Sequence, residues 1–217
     1  LLRAEFGVEH QFALEAIRDR AALARTMGDL ELAETLLDEA LEPTSRLMGR
    51  EAYLDMLRRI SRLKLIQGEL EASEQTLRDA LAAMCADISE PTLVEQKNRF
   101  TQLLAAPSTP ANVNEYTELL RVIQSPPNDG ISISGIGDAL SSVFRQKHGD
   151  AAAEPVLRIA IETRDAASDG YDLNLGVLLA QDGELLVQLA RPAEARRAHQ
   201  RAYEIFAAIL GEEHFHT

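Results

Sequence analysis

The amino-acid sequence predicts an all-α fold built as an α-solenoid of about five helix-turn-helix units, and three observations carry that prediction. Composition is the first. The 217 residues include 32 Leu and 32 Ala, while aromatics reach only 5% and Trp is absent. Ala and Leu lose little on entering a helix, whereas strands favour β-branched and aromatic side chains. Repetition is the second. Gly28-Asp29-Leu30-Glu31-Leu32-Ala33, running on to Ala40-Leu41, returns forty residues later as Gly68-Glu69-Leu70-Glu71-Ala72-Ser73, running on to Ala80-Leu81. In each copy a small residue (Ala33, Ser73) precedes a bulky one by four (Leu37, Leu77) and an Ala by seven. Those offsets share one helical face, so a neighbouring helix can approach closely. The placing of prolines is the third, because Pro91, Pro110, Pro155 and Pro192 all fall where a helix of this phase should begin, and a first turn tolerates the missing N–H.

The elements follow in order. Helices over 11–27 and 30–47 flank the Gly28-Asp29 turn. Helices over 51–66 and 69–86 flank the Gly68-Glu69 turn and follow Gly49. Pro43 falls inside the second helix and implies a kink or an early end there. A degenerate third unit, 92–106 and 111–124, is placed by the two prolines and by the apolar face of Tyr116, Leu119, Leu120 and Ile123. A fourth, 134–147 and 152–168, repeats the packing face at Ala153, Leu157, Ala160 and Ile161, with its turn at His148-Gly149-Asp150 one residue out of phase. The fifth, 172–189 and 193–210, repeats the face at Ala195, His199, Ala202 and Tyr203, with a turn, Ala190-Arg191-Pro192, that lacks Gly. A second ladder, Gly7-Val8-Glu9-His10, Gly49-Arg50-Glu51 and Gly211-Glu212-Glu213-His214, supports the phase. Residues 125–137 read as a connecting loop ending at an N-cap, Ser134, with Ile131 and Ile133 exposed for a partner. Residues 1–217 therefore form a single repeat array with units at about 11–47, 51–86, 92–124, 134–168 and 172–210, and the resumption of the pattern at both ends suggests a piece of a longer protein.

The phased Gly-Asp/Glu, the small residue and the following Ala-Leu resemble the turn and second helix of a tetratricopeptide repeat. A spacing near 41 also fits HEAT or armadillo units on length, but the turn chemistry favours the tetratricopeptide pattern. The longer spacing and the Gly-x-Glu junction resemble the extended repeats of kinesin light chains and of many bacterial tetratricopeptide proteins. The resemblance implies a right-handed α-solenoid whose inner wall comes from each first helix. In that family the groove-facing side chains sit at the second, fifth, ninth and twelfth positions of the first helix. Those positions here include Arg18 and Arg25, Arg58 and Arg62, and Asn98, which would make a basic groove for an acidic peptide or a terminal carboxylate.

Chemistry is harder to find. A charge of -13, from 35 acids against 22 bases, argues against nucleic acid, whose affinity comes largely from phosphate neutralisation. The only cysteine, Cys85, excludes an internal disulfide and a multi-cysteine metal site, and reads as an inert helical thiol. No apolar run is long enough to span a bilayer, and no secretory signal opens the sequence, so the expected location is cytoplasmic. Nineteen Arg against three Lys suits a GC-rich bacterial genome. The Gly130–Gly137 run lacks the ending and the preceding strand of a phosphate loop. His214, His216 and Glu213 lack metal-site helix spacing, and His199 reads as a half-buried packing imidazole. No catalytic residue, cofactor or metal is expected. The sequence therefore points to a protein-interaction module, with a self-assembling structural array as the second reading.

Overall fold

A computed structural model describes residues 10–86, 94–124, 130–168 and 172–211. These residues form ten α-helices: α1 (Gln11–Thr26), α2 (Leu30–Leu47), α3 (Arg50–Ile66), α4 (Leu70–Ala86), α5 (Val94–Leu104), α6 (Val113–Ile123), α7 (Gly130–His148), α8 (Asp150–Ala167), α9 (Leu173–Gln188) and α10 (Pro192–Leu210), with one 3-10 turn at Pro110–Asn112. The fold class is thus all-α and organised as successive helix hairpins. No described helix is long and apolar enough to cross a membrane. The protein forms two compact units, Leu1–Ala80 and Leu81–Thr217, with the division inside α4.

In the first unit α1 and α2 pair across the Gly28-Asp29 turn. Asp29 caps α2 by accepting a hydrogen bond from the Leu32 backbone N–H at 3.2 Å, satisfying one of the donors a helix start leaves open. The core is the face the repeat predicted: Leu14, Ile17, Ala21 and Ala24 of α1, Ala33, Leu36, Leu37 and Ala40 of α2, and Met56, Ile60 and Leu63 of α3. Pro43 neither ends α2 nor lies at its edge; the helix continues to Leu47 with the proline ring buried inside it. Burial of the ring offsets the intrahelical bond that proline cannot make. Ser73, which stands where the first copy has Ala33, is fully buried and binds both the Ser61 hydroxyl (2.9 Å) and the Ser61 carbonyl (2.8 Å). The small position of the repeat therefore also joins α4 to α3.

In the second unit the core gathers Leu157 and Ile161 of α8, Leu175, Leu178 and Leu179 of α9, and Ala202, Ile205 and Phe206 of α10. Tyr116 and Phe144 meet edge-on at 5.2 Å. Three differences from the sequence reading appear here. First, α7 begins at Gly130, so the expected loop 125–137 is helical from its sixth residue; residues 125–129 lie outside the described part. Ser134 is buried within α7 and is not a cap, and Ile133 is core rather than exposed; the Ile131 side chain lies outside the described part. The reason is packing. A Cβ placed on Gly130 would stand 2.8 Å from the Ala167 Cβ, and one on Gly137 3.0 Å from the Ala160 Cβ. Two glycines seven apart on α7 face two alanines seven apart on α8, and this close approach holds helical a stretch whose glycines favour a loop locally. Second, α8 begins at Asp150, which places Pro155 in its second turn and not its first. Third, the fourth-unit turn is of another kind. Gly149 (φ 89°, ψ 175°) copies Gly49 (φ 81°, ψ -176°), a backbone region open almost only to Gly. That accounts for the slip in phase.

Pro91 and the Gly7 and His214 ends of the second ladder fall outside the described residues, as does the Glu213, His214 and His216 cluster.

Candidate functional site: an arginine cleft in the first unit

Three helices of the first unit leave a cleft of about 130 Å³ between them. Arg18, Ala21, Ala22 and Arg25 come from α1, Ala33 and Leu37 from α2, and Arg58, Arg59, Arg62 and Leu63 from α3. Its existence follows from the sequence. Positions 18, 21, 22 and 25 lie on one face of α1, and 58, 59, 62 and 63 on one face of α3. Between them the repeat places alanines, which leave room where larger side chains would fill it. Arginine stems suit such a place, since their methylenes cover apolar surface while the guanidinium stays in water.

The cleft brings together four of the five residues that the sequence marks as a groove: Arg18, Arg25, Arg58 and Arg62. Asn98 is not among its lining; it stands exposed on α5 in the second unit. Arg59 was missed by the groove offsets. Its signal was the i,i+4 spacing from Asp55, which places it beside Arg58.

The charges are not balanced inside the cleft. Asp55 holds two of the guanidiniums at once: Oδ1 accepts from Arg58 Nη2 (2.5 Å) and Nε (3.2 Å), and Oδ2 from Arg59 Nε (2.7 Å). Burial pushes the Asp55 carboxyl up, but Arg58 and Arg59 outweigh it and hold it below the usual carboxylate range. Arg18 Nε is buried without a hydrogen-bond acceptor and makes only a long ion pair with Asp19 Oδ1, at 3.9 Å. Arg25 and Arg62 are exposed, and their guanidiniums make no hydrogen bond or ion pair among the described residues. The acidic side chains of α2 lean elsewhere. Glu34 accepts from Gln67 Nε2 (2.9 Å) and Lys64 Nζ (3.3 Å). The Gln67 bond, helped by Lys64 and opposed by burial, holds its carboxyl low.

A second arginine cluster, in the second unit, is instead mostly paired with carboxylates. It lies where α8, α9 and α10 meet, around a cleft lined by Arg158, Asp182, Glu194, Arg197 and Arg201. Arg191 binds Glu194 through Nε and Nη2 (both 2.6 Å) and Glu154 through Nη1 (2.9 Å), while Arg158 also pairs with Glu154 and Arg201 with Asp165. Hydrogen bonds from Arg191 hold the Glu194 carboxyl low, and those bonds with Glu194 and Glu154 raise the Arg191 guanidinium above its ordinary value. Burial, and then the Glu154 charge, push the Asp182 carboxyl up. Four arginines here face four carboxylates, whereas in the first unit five face two, Asp55 and the exposed Asp19.

The remaining polar groups hold structure together. Arg164 forks onto Asp172 (Nε 2.8 Å, Nη2 2.7 Å) while Asp172 also caps α9 through the Leu175 N–H at 3.0 Å. The Arg164 bond, then those backbone bonds, hold the Asp172 carboxyl low. Ser108 Oγ lies 2.8 Å from His148 Nε2, tying the segment after α5 to the end of α7. His199 is exposed rather than half-buried; its ring lies over Gly183, where a Cβ would come within 2.5 Å of it. Cys85 is buried. Among the described residues no three His, Cys, Asp or Glu side chains converge as a metal site.

Comparison with protein-family models gives no match, and neither does comparison with curated proteins. Among solved structures the protein is similar to BtubC (BKLC) from P. vanneervenii, at 17% identity and a TM-score of 0.47, over 97% of this chain and 86% of that one.

Proposed function

We propose that this protein is an interaction module of the tetratricopeptide kind, acting in the cytoplasm without catalysis, and that it binds an acidic protein segment in the arginine cleft of its first unit. The observation that carries this reading is the surplus of guanidiniums. Gathering five cations costs electrostatic energy, and in a sequence with 35 acidic residues a neutralised arrangement such as that around Glu154 and Glu194 is readily available. A cleft that keeps Arg25 and Arg62 unpaired keeps them for an outside anion, for which the guanidinium fork is well shaped.

A second reading, self-assembly, draws on Phe12, Leu23 and Met27, three exposed apolar side chains of the first helix and its C-cap. Affinity capture from the source lysate, with an Arg25→Glu/Arg62→Glu variant alongside, tests both. A partner held by the natural protein and lost with the variant supports the cleft. Equal capture by both moves the binding surface elsewhere, and capture of the protein alone favours self-assembly.

A further inference from the structure

We propose that the arginine cleft is a phosphoryl site, which takes a phosphorylated serine or threonine side chain of the partner segment; the inference rests on the acidic-segment reading above. Its basis is a count of donors. Asp55 spends both oxygens on Arg58 and Arg59 and so fixes their position. That leaves two whole guanidiniums, Arg25 on α1 and Arg62 on α3, and the buried Nε of Arg18 with no acceptor. A carboxylate can bridge two guanidiniums, as Asp55 does with Arg58 and Arg59, but its single charge balances only one of them. Bound here between Arg25 and Arg62, it would leave one positive charge uncompensated and Arg18 Nε without an acceptor. A phosphoryl group brings a charge approaching -2 and three acceptor oxygens, so two helices can share it and a third donor remains useful.

The rest of the lining says what carries the group. The half-buried Ala22, with the buried Ala21, Leu37 and Leu63 beneath it, makes the floor between the arginines apolar. The methylene of phosphoserine or the methyl of phosphothreonine covers part of that surface, and a free phosphate ion does not. In the second-unit cluster Arg158, Arg191 and Arg201 are each already bound to a carboxylate, which leaves Arg197 as the single guanidinium of that cleft with no ion pair among the described residues.

Arginine Nε–Hε spectra of the full-length protein test this, with three probes titrated separately. They are an acidic Glu/Asp/Gly peptide with one central phosphoserine, the same peptide with Glu at that position, and inorganic phosphate. The phosphopeptide is expected to shift the Arg18, Arg25 and Arg62 signals and to saturate them at about tenfold lower concentration than the Glu peptide. The response should be lost in Arg25→Ala/Arg62→Ala and kept in Arg196→Ala/Arg197→Ala, with circular dichroism confirming that both remain helical. Equal saturation by the two peptides overturns the phosphoryl proposal and leaves the acidic-segment reading standing. Inorganic phosphate binding as tightly as the phosphopeptide overturns the role given to the carrier peptide. No arginine shift with any probe overturns both readings.

Discussion

Ala190 is the only described non-glycine residue with positive φ, at 56°. It stands two residues before the start of α10, as Gly28 and Gly68 stand before α2 and α4, so the fifth unit keeps the turn and replaces its glycine. An L-residue held in the left-handed region costs about 1–2 kcal/mol, part of which Gly returns through its looser unfolded state. Ala190→Gly should therefore raise unfolding stability by about 0.5–1 kcal/mol in urea titrations. Asp182 gives the pH prediction at this scale. Its carboxyl is pushed up by burial and by Glu154, so the folded state binds that proton more readily than the unfolded state. The ionised group then lowers stability at neutral pH, and this penalty disappears as pH falls through the raised folded value to the unfolded one, about 3.9. Asp182→Asn should be more stable than the natural protein at pH 7, by under about 1 kcal/mol, and the two should converge near pH 4 in thermal scans. Asp172 acts in the opposite sense. Its lowered carboxyl contributes stability above the unfolded value that is lost as pH falls through its folded one.

At the scale of elements, most of the fold was legible in the sequence because helix hairpins are written locally. The predicted 30–47 is α2 to the residue, and the other helices agree within a few residues except at the start of α7. What was illegible depends on partners distant in sequence. Nothing near Gly130 and Gly137 says that Ala167 and Ala160 will face them, so a run of glycines and serines reads as a loop. Pro43 is tolerated because its ring is buried, and burial is a property of the unit, not of the helix. Likewise Arg18, Arg25, Arg58 and Arg62 could be chosen by their helical offsets, whereas the pairing of Arg59 with Asp55 and the freedom of Arg62 needed the packed helices. The α7–α8 contact offers a direct check. Leu at position 137 must push Ala160 away, an overpacking cost of about 1–3 kcal/mol that exceeds the roughly 1 kcal/mol gained in helix propensity. Gly137→Leu should lower the unfolding midpoint, with a net loss of about 1–2 kcal/mol, although a propensity scale alone predicts a gain.

At the scale of the molecule, repetition also sets which residues bond. In the second unit, side-chain hydrogen bonds join Ser108 to His148, Gln124 to Thr163, Glu154 to Arg191 and Asp165 to Arg201, at separations of 40, 39, 37 and 36 residues. Each bond thus reaches about one repeat along the sequence, as expected when a helix packs on its counterpart in the next unit. Two of these bonds engage arginines of the second unit, Arg191 and Arg201. The first unit instead spends Lys64 and Gln67 on the acidic face of α2 and leaves its cleft arginines over. On a protein with a net charge of -13, that local surplus is the feature that would draw the proposed acidic partner to one place.

The central claim is that this cleft, and not basic surface in general, is the binding site. Its most direct test is the binding isotherm of a fluorescent oligoglutamate peptide with three proteins: the natural one, Arg25→Ala/Arg62→Ala and Arg196→Ala/Arg197→Ala. Each variant removes two exposed arginines and the same formal charge. The account predicts that the first variant loses about tenfold or more in affinity, as expected when charge-assisted bonds are removed, while the second binds nearly as the natural protein does. Equal weakening by both variants would show attraction to overall charge alone and would contradict the assignment of the cleft.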